Sequence, residues 1–150
     1  MNRISSSETT SILSWIQRLK NELHDENTLI LVEGKRDKNF FLNIGISEHN
    51  LLSISHLGVN QLLEIICQKI NSPEIICIPL VDFDKAGRKY LSKLKTLPVY
   101  YNCDDTRIIK IILDTYFRRE LATILKGRYP EIEALSSYLE KLHITIEDLE

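Results

Sequence analysis

The sequence lacks the features by which several classes of protein are recognised. None of its apolar runs reaches the ~20 residues that a membrane-spanning helix needs, and residues 1–10 are too polar for a signal peptide. It has no internal repeat and no low-complexity linker, and its 43% apolar and 27% charged residues are typical of globular proteins. We therefore expect one folded domain, located in the cytoplasm and without membrane association.

Cysteine is scarce, and its three positions show no pattern typical of a metal site. Cys67 and Cys77 lie beside apolar residues, Cys103 lies between Asn102 and Asp104, and no two of the three form a CxxC pair. An odd number of cysteines without ligand spacing predicts buried, reduced thiols.

An excess of positive charge is also missing. The net charge is −2, so binding of a nucleic acid would need a local basic patch or a metal ion. The charged residues from Glu131 onward are mostly acidic, whereas basic residues cluster in mid-chain at Lys85, Arg88, Lys89, Lys93 and Lys95. This uneven distribution is compatible with one basic face.

What the sequence does contain is an alternation of short apolar runs with segments of helical periodicity. The predicted strands are Thr28–Val32, Leu51–Ser55, Glu74–Val81 and Pro98–Asn102. The predicted helices between them are Arg36–Asn43, Asn60–Ile70 and Arg88–Leu97. This alternation favours an α/β fold with a four-stranded parallel sheet, in which the strand order 2-1-3-4 would make the first and third strands neighbours.

Helical patterns flank this region on both sides. An apolar stripe at Ile12, Ile16, Leu19 and Leu23 predicts an N-terminal helix that either covers the domain or forms a dimer contact. Arg107–Leu113 fits a strand or a helix, and we favour a helix because Asp104 and Asp105 are good N-caps. Further helices are predicted at Tyr116–Leu125 and Ile132–Leu142. The chain then divides into residues 1–27, 28–113 and 114–150.

Acidic residues follow two of the predicted strands. Glu33 comes directly after the first strand, and Asp82 and Asp84 come directly after the third. Ligands of open parallel sheets bind at the carboxyl ends of the strands, so these carboxylates would meet there. Because like charges repel, a divalent cation such as Mg²⁺ or Mn²⁺ would stabilise the group. Asp-x-Asp also occurs by chance in turns, but its coincidence with Glu33 favours a metal site.

The other candidate residues lie beside these acids. Lys35, Arg36, Lys85 and Arg88 would contact backbone phosphates of a nucleic acid, or they form a solvated helix face. His56, after the second strand, either lines the same rim or has a structural role.

At these two positions the sequence resembles the Toprim (topoisomerase-primase) family. Val32–Asp37 (VEGKRD) resembles its first motif, and Val81–Gly87 (VDFDKAG) resembles its second. The resemblance covers Thr28 to Leu113 and implies a Rossmann-like sheet flanked by helices. Modules that topoisomerases, primases and OLD-type nucleases add to this domain have no counterpart in the sequence. The chain is therefore most similar to small stand-alone Toprim proteins that are primase-like or resemble the nucleases maturing 5S ribosomal RNA.

The resemblance also implies roles for individual residues. Glu33 matches the general acid or base, and also a possible metal ligand, whereas Asp82 and Asp84 match the metal ligands. Gly34 matches a glycine that lets the chain turn after the strand, and Gly87 matches the glycine of the second motif. A further acidic position is matched by Asp37, which would otherwise be a helix first-turn acid.

The expected function is magnesium-dependent phosphoryl transfer on RNA or DNA, by a nuclease, an RNA-processing enzyme or a primase-like enzyme. One alternative is an accessory module that binds nucleic acid without turnover. Another is a receiver-like α/β domain with a chance acidic pocket, which the EGK and DFDKAG motifs disfavour. Nucleic acid is the expected partner, within a homodimer or a larger nucleoprotein complex.

Overall fold

The fold alternates strands and helices along most of the chain. The computed structural model describes residues 6–23, 25–125 and Leu135. The helices in these ranges are α1 (Ser6–Glu22), α2 (Lys35–Asn43), α3 (Val59–Lys69), α4 (Lys85–Leu94) and α5 (Tyr116–Leu125). The strands are β1 (Thr28–Val32), β2 (Leu51–Ser53), β3 (Glu74–Pro79), β4 (Tyr100–Asp104) and β5 (Arg107–Leu113). The predicted helix Ile132–Leu142 lies outside the described residues.

The five strands form a single sheet in the order β2-β1-β3-β5-β4. The first four of these are parallel to one another, and only β4 runs antiparallel to its neighbour β5. All five residues of β1 are buried, as is typical of a central strand that is covered on both faces. The α/β class and the pairing of the first predicted strand with the third are therefore confirmed.

The prediction of a four-stranded parallel sheet is wrong, since Arg107–Leu113 is a strand. The Asp104 carboxylate does not cap a helix; it accepts hydrogen bonds from the amide and hydroxyl of Thr106, both at 2.8 Å. This side-chain turn reverses the chain between β4 and β5. Four β-branched isoleucines also favour the extended conformation of β5, at positions 108, 109, 111 and 112.

The helices cover the sheet in two layers. On one face α1, α2 and α5 enclose a buried cluster that includes Trp15, Phe41 and Phe117. On the other face α3 and α4 cover a second buried cluster that includes Leu62, Ile66 and Leu94. Among the residues that the structure describes, no helix has the length and apolar character needed to cross a bilayer.

Helix α1 is an intramolecular cover. Ile12, Ile16 and Leu19 of its apolar stripe are completely buried, and so is Trp15. The Trp15 indole Nε1 donates a hydrogen bond of 2.8 Å to the carbonyl oxygen of Phe117 in α5. Of the two roles considered for the stripe, the structure therefore supports packing within the chain.

The prediction of three reduced thiols is wrong for two of the cysteines. Cys67 of α3 and Cys103 of β4 form a disulfide bond. They are 36 residues apart in sequence, so local spacing carried no signal of this pairing. Cys77 of β3 is a free, buried thiol, and burial raises its pKa to about 12.

The disulfide leads to a thiol-count prediction. Denatured but unreduced protein should react with Ellman's reagent at a single thiol, that of Cys77, and reduction should expose all three. Because the bond constrains the unfolded chain, reduction should lower the free energy of unfolding by about 2–4 kcal/mol. The control Cys77→Ser should show no reactive thiol before reduction. Three reactive thiols in unreduced wild-type protein would contradict the pairing.

Candidate metal centre

Three acidic side chains meet at the carboxyl ends of β1 and β3. Glu33, Asp82 and Asp84 each offer one carboxylate oxygen, and these oxygens all lie within 4.8 Å of one another. The sheet register explains the meeting, because Leu31 pairs with Pro79 and accepts a 2.8 Å hydrogen bond from the amide of Leu80. The two backbone segments that follow β1 and β3 thus leave the sheet side by side, as the sequence predicts.

The Glu33 carboxyl is held against the loop that follows β3. Its Oε1 atom accepts a hydrogen bond of 2.9 Å from the backbone amide of Asp82. Burial, and then repulsion by Asp82, Asp84 and Asp37, raises the pKa of Glu33 to about 7, although the Asp82 hydrogen bond opposes the shift. The group therefore changes its protonation state close to neutral pH.

Asp84 starts helix α4. Its Oδ1 atom accepts a 2.8 Å hydrogen bond from the amide of Gly87, which is the geometry of an N-cap. This cap explains why α4 begins at Lys85, three residues earlier than predicted. Asp84 is thereby held at the start of a helix, close to Glu33 and Asp82.

Gly87 is required by close backbone approach. A Cβ atom at this position would lie 1.8 Å from the Asp82 carbonyl oxygen and 2.9 Å from Oε1 of Glu33. The absence of a side chain at Gly87 thus lets the two acidic segments approach.

Gly34 does not have the role that the resemblance implies. Its φ of −147° is accessible to any residue, and a Cβ atom there would meet nothing within 4 Å. The expectation that a sharp turn requires glycine at this position is therefore wrong. Its amide donates a 3.4 Å hydrogen bond to Oδ2 of buried Asp37, which supports the role of Asp37 as a first-turn acid of α2.

A cleft of about 330 Å³ opens beside the carboxylates. Its lining comprises Glu33, Gly34, Lys35, Arg36, Asp37, Ser55, Asp82 and Tyr90. Of the four predicted phosphate contacts, Lys35 and Arg36 therefore lie on the cleft wall. Lys85 and Arg88 are exposed on α4, and Nη1 of Arg88 donates a 3.0 Å hydrogen bond to the Phe83 carbonyl between the two aspartates.

His56 does not line this cleft. It is exposed in the turn after β2, with a left-handed φ of 66°, and its neighbour Ser55 lies on the cleft wall instead. The left-handed backbone at His56 marks the point where the chain turns away after β2, so the residue that reaches the cleft is the one before it.

Sequence reasoning missed two further residues at the site. Tyr90 packs partly against the core and also lines the cleft. Arg118 of α5 donates hydrogen bonds to the carbonyl oxygens of Val81 at 3.0 Å and Asp82 at 2.7 Å. Local spacing carries no signal of this contact, because it joins segments 36 or 37 residues apart.

The donor set suits a hard divalent cation. Carboxylate oxygens are the ligands that Mg²⁺ and Mn²⁺ prefer, and the three acids concentrate negative charge at one point. In the metal-free protein the pKa of Glu33 is raised first by burial and then by this crowding of acids. The residues present therefore fit the ion that the sequence motifs imply.

Gly87→Ala should disrupt the site, whereas Gly34→Ala should be tolerated. The Gly87 variant must displace the Asp82 backbone, so we expect a loss of about 1–3 kcal/mol in the free energy of unfolding, measured by urea denaturation. The matched variant at Gly34, where space is open, should stay within about 1 kcal/mol of wild type. Equal stability of the two variants would contradict the close approach at Gly87.

The Glu33 carboxyl should make stability depend on pH in metal-free protein. Its folded-state pKa of about 7 lies above its ordinary value of 4.5, so the folded state binds more protons between these pH values. The contribution of Glu33 to stability should therefore fall as pH rises from 4.5 to 7.

This dependence can be isolated by comparing wild type with Glu33→Gln in EDTA, since the amide oxygen can still accept the Asp82 hydrogen bond. Urea denaturation at several pH values should show wild type losing stability relative to the variant as pH rises through this window. Parallel curves for the two proteins would rule out a raised pKa at Glu33.

The comparisons with known proteins identify the fold and no activity. No protein-family model matches the chain, and no curated protein matches it. One solved structure, of a protein from Aquifex aeolicus whose description names no function, is similar with a TM-score of 0.53 and 24% sequence identity. The alignment covers 90% of this chain and 94% of that one. At this identity the likeness supports a shared α/β fold.

Proposed function

We propose that this protein carries out magnesium-dependent phosphoryl transfer on a nucleic acid, as a nuclease or RNA-processing enzyme of the Toprim type. The observation that carries the proposal is the meeting of three carboxylates at the ends of β1 and β3, one of them with a pKa of about 7. The two motifs that resemble Toprim both contribute to this cluster. The parallel pairing of β1 with β3 is compatible with that family, and membership of the Toprim family is part of what we propose.

Each acid has a distinct role in this proposal. Asp82 and Asp84 would hold the metal ion, with Glu33 either completing the site or transferring a proton. A bound magnesium ion supplies polarisation of a phosphoryl oxygen and offsets the developing negative charge. In the metal-free protein, burial and the neighbouring acids raise the pKa of Glu33 to about 7, so Glu33 is the candidate for proton transfer in general acid–base catalysis.

The basic residues around the cleft support a polyanionic substrate. Lys35 and Arg36 line the cleft beside the acids, and Lys85 and Arg88 are exposed on the adjacent helix α4. Contacts of this kind fix the position of a phosphate backbone without reading its sequence. Since the chain as a whole carries a charge of −2, affinity would depend on this local patch and fall with added salt.

A binding module without turnover is the second candidate. The observation that favours it is that two of the clustered acids already have structural hydrogen bonds: Glu33 with the Asp82 amide, and Asp84 with the Gly87 amide. In that case the loop geometry would serve recognition of a nucleic acid, and the metal would stabilise the complex.

The cytoplasm is the proposed location, where nucleic acid substrates are available. The Cys67–Cys103 disulfide weighs against it, because such bonds are rare in the cytosol of most organisms.

A cleavage assay separates the two candidate functions. Purified protein is incubated with labelled structured RNA, single-stranded RNA, and single- and double-stranded DNA, with Mg²⁺, with Mn²⁺ or with EDTA. We expect metal-dependent cleavage of at least one substrate, and a rate at least ~100-fold lower in Glu33→Gln, Asp82→Asn and Asp84→Asn.

The controls keep a folding defect apart from a chemical one. Asparagine is as good an N-cap as aspartate, so Asp84→Asn should preserve α4, and circular dichroism checks this. Asp105→Asn removes an exposed acid in the β4–β5 turn and should cleave like wild type. Unchanged cleavage in the Asp82 and Asp84 variants would contradict the proposed site. Metal-sensitive binding without cleavage would favour the binding module.

A further inference from the structure

Helix α5 reaches the acidic loop through one side chain. Arg118 donates from Nε to the Val81 carbonyl at 3.0 Å and from Nη2 to the Asp82 carbonyl at 2.7 Å. Its guanidinium carbon also lies 4.9 Å from the centre of the Phe83 ring. One side chain thus holds three consecutive residues of the segment that carries Asp82 and Asp84.

The part of helix α5 from which Arg118 extends is held in place by contacts with helix α1. Phe117, its neighbour, is buried in the core, and the Phe117 carbonyl accepts the indole hydrogen bond from Trp15 of α1. One turn along α5, Glu120 forms an ion pair with Arg18 of α1. Helix α5 is therefore fixed to α1, and the position of the guanidinium is set by packing.

The hydrogen bonds described for Arg118 go to main-chain carbonyls of the acidic loop. A cation placed in this way adds positive charge beside three carboxylates while it holds the loop by its backbone. Without it, repulsion among Glu33, Asp82 and Asp84 would be opposed by fewer bonds, and the loop would have to be ordered when a metal binds.

We propose that Arg118 is a positioning residue, which holds the Asp82–Asp84 loop in the arrangement that binds the metal ion. This inference rests on the proposed metal site and adds a residue from outside both sequence motifs. Residues that orient metal ligands from behind typically change metal affinity by about 10- to 100-fold when they are replaced. The same effect is expected here.

Lysine should not replace Arg118. The guanidinium makes two hydrogen bonds to successive carbonyls and stacks on Phe83, whereas an ammonium group is a compact charge without that planar geometry. Arg118→Lys therefore removes the geometry and keeps the charge. The matched control is Arg119→Lys, because Arg119 is exposed and its Nε donates a local hydrogen bond to the carbonyl of Thr115, the residue before α5.

The test combines two measurements on the full-length chain. Calorimetric titration with Mn²⁺ should give a Kd about 10- to 100-fold higher for Arg118→Lys than for wild type, and an unchanged Kd for Arg119→Lys. Hydrogen exchange in EDTA should be at least ~10-fold faster at the amides of Asp82 and Gly87 in the Arg118 variant. These two amides report on the loop, since each bonds to a carboxylate of the cluster.

The outcomes distinguish this inference from the proposed function. If Asp82→Asn abolishes Mn²⁺ binding but Arg118→Lys binds within about threefold of wild type, the positioning role is overturned while the metal site stands. If wild type binds no Mn²⁺, both the metal site and the role of Arg118 in forming it are overturned. If Arg118→Lys is less stable in urea but has an unchanged Kd for Mn²⁺ and unchanged hydrogen exchange, the positioning role is also overturned, and Arg118 has only a structural role.

Discussion

Repulsion among three carboxylates, brought together by the parallel pairing of β1 with β3, is the constraint on which the site depends. The pairing is driven by burial of apolar strands and leaves the acids no freedom to separate along the sheet. Their repulsion must be offset locally. The backbone amides of Asp82 and Gly87 each donate a hydrogen bond to one carboxylate. The pKa of Glu33 is raised to about 7, so this group can remain protonated up to near-neutral pH. A divalent cation would complete this compensation, which is why the same geometry suggests metal chemistry.

Several contacts outside the cluster hold the three acidic residues close together. Gly87 allows the backbone of α4 to approach the Asp82 carbonyl, and Arg118 donates a hydrogen bond to the same carbonyl. Helix α1 stabilises the arrangement indirectly, because Trp15 fixes the helix from which Arg118 extends. The segments before and after the two motifs are thus physically coupled to the site.

The sequence allowed prediction of features that depend on local pattern, and failed where distant segments decide. Glu33, Asp82 and Asp84 could be placed together because each follows an apolar run whose end is visible in the sequence. The sequence predicts a helix at β5 because Asp104 and Asp105 are good N-caps, although its isoleucines also suit a strand. Its pairing with β3 and the turn at Asp104 decide between the two conformations. The contact of Arg118 and the disulfide each join segments more than 30 residues apart, so no local sequence spacing predicts either of them.

The most direct test of the central claim is the location of a metal ion by anomalous scattering in crystals grown with Mn²⁺. A metal-binding role for the cluster predicts an anomalous peak within coordination distance, ~2.0–2.5 Å, of carboxylate oxygens of Asp82 and Asp84, beside Glu33. The peak should be absent in Asp82→Asn crystals grown in the same way. A strong peak elsewhere on the protein, or none at this cluster at millimolar Mn²⁺, would contradict the claim that the three acids form a metal centre.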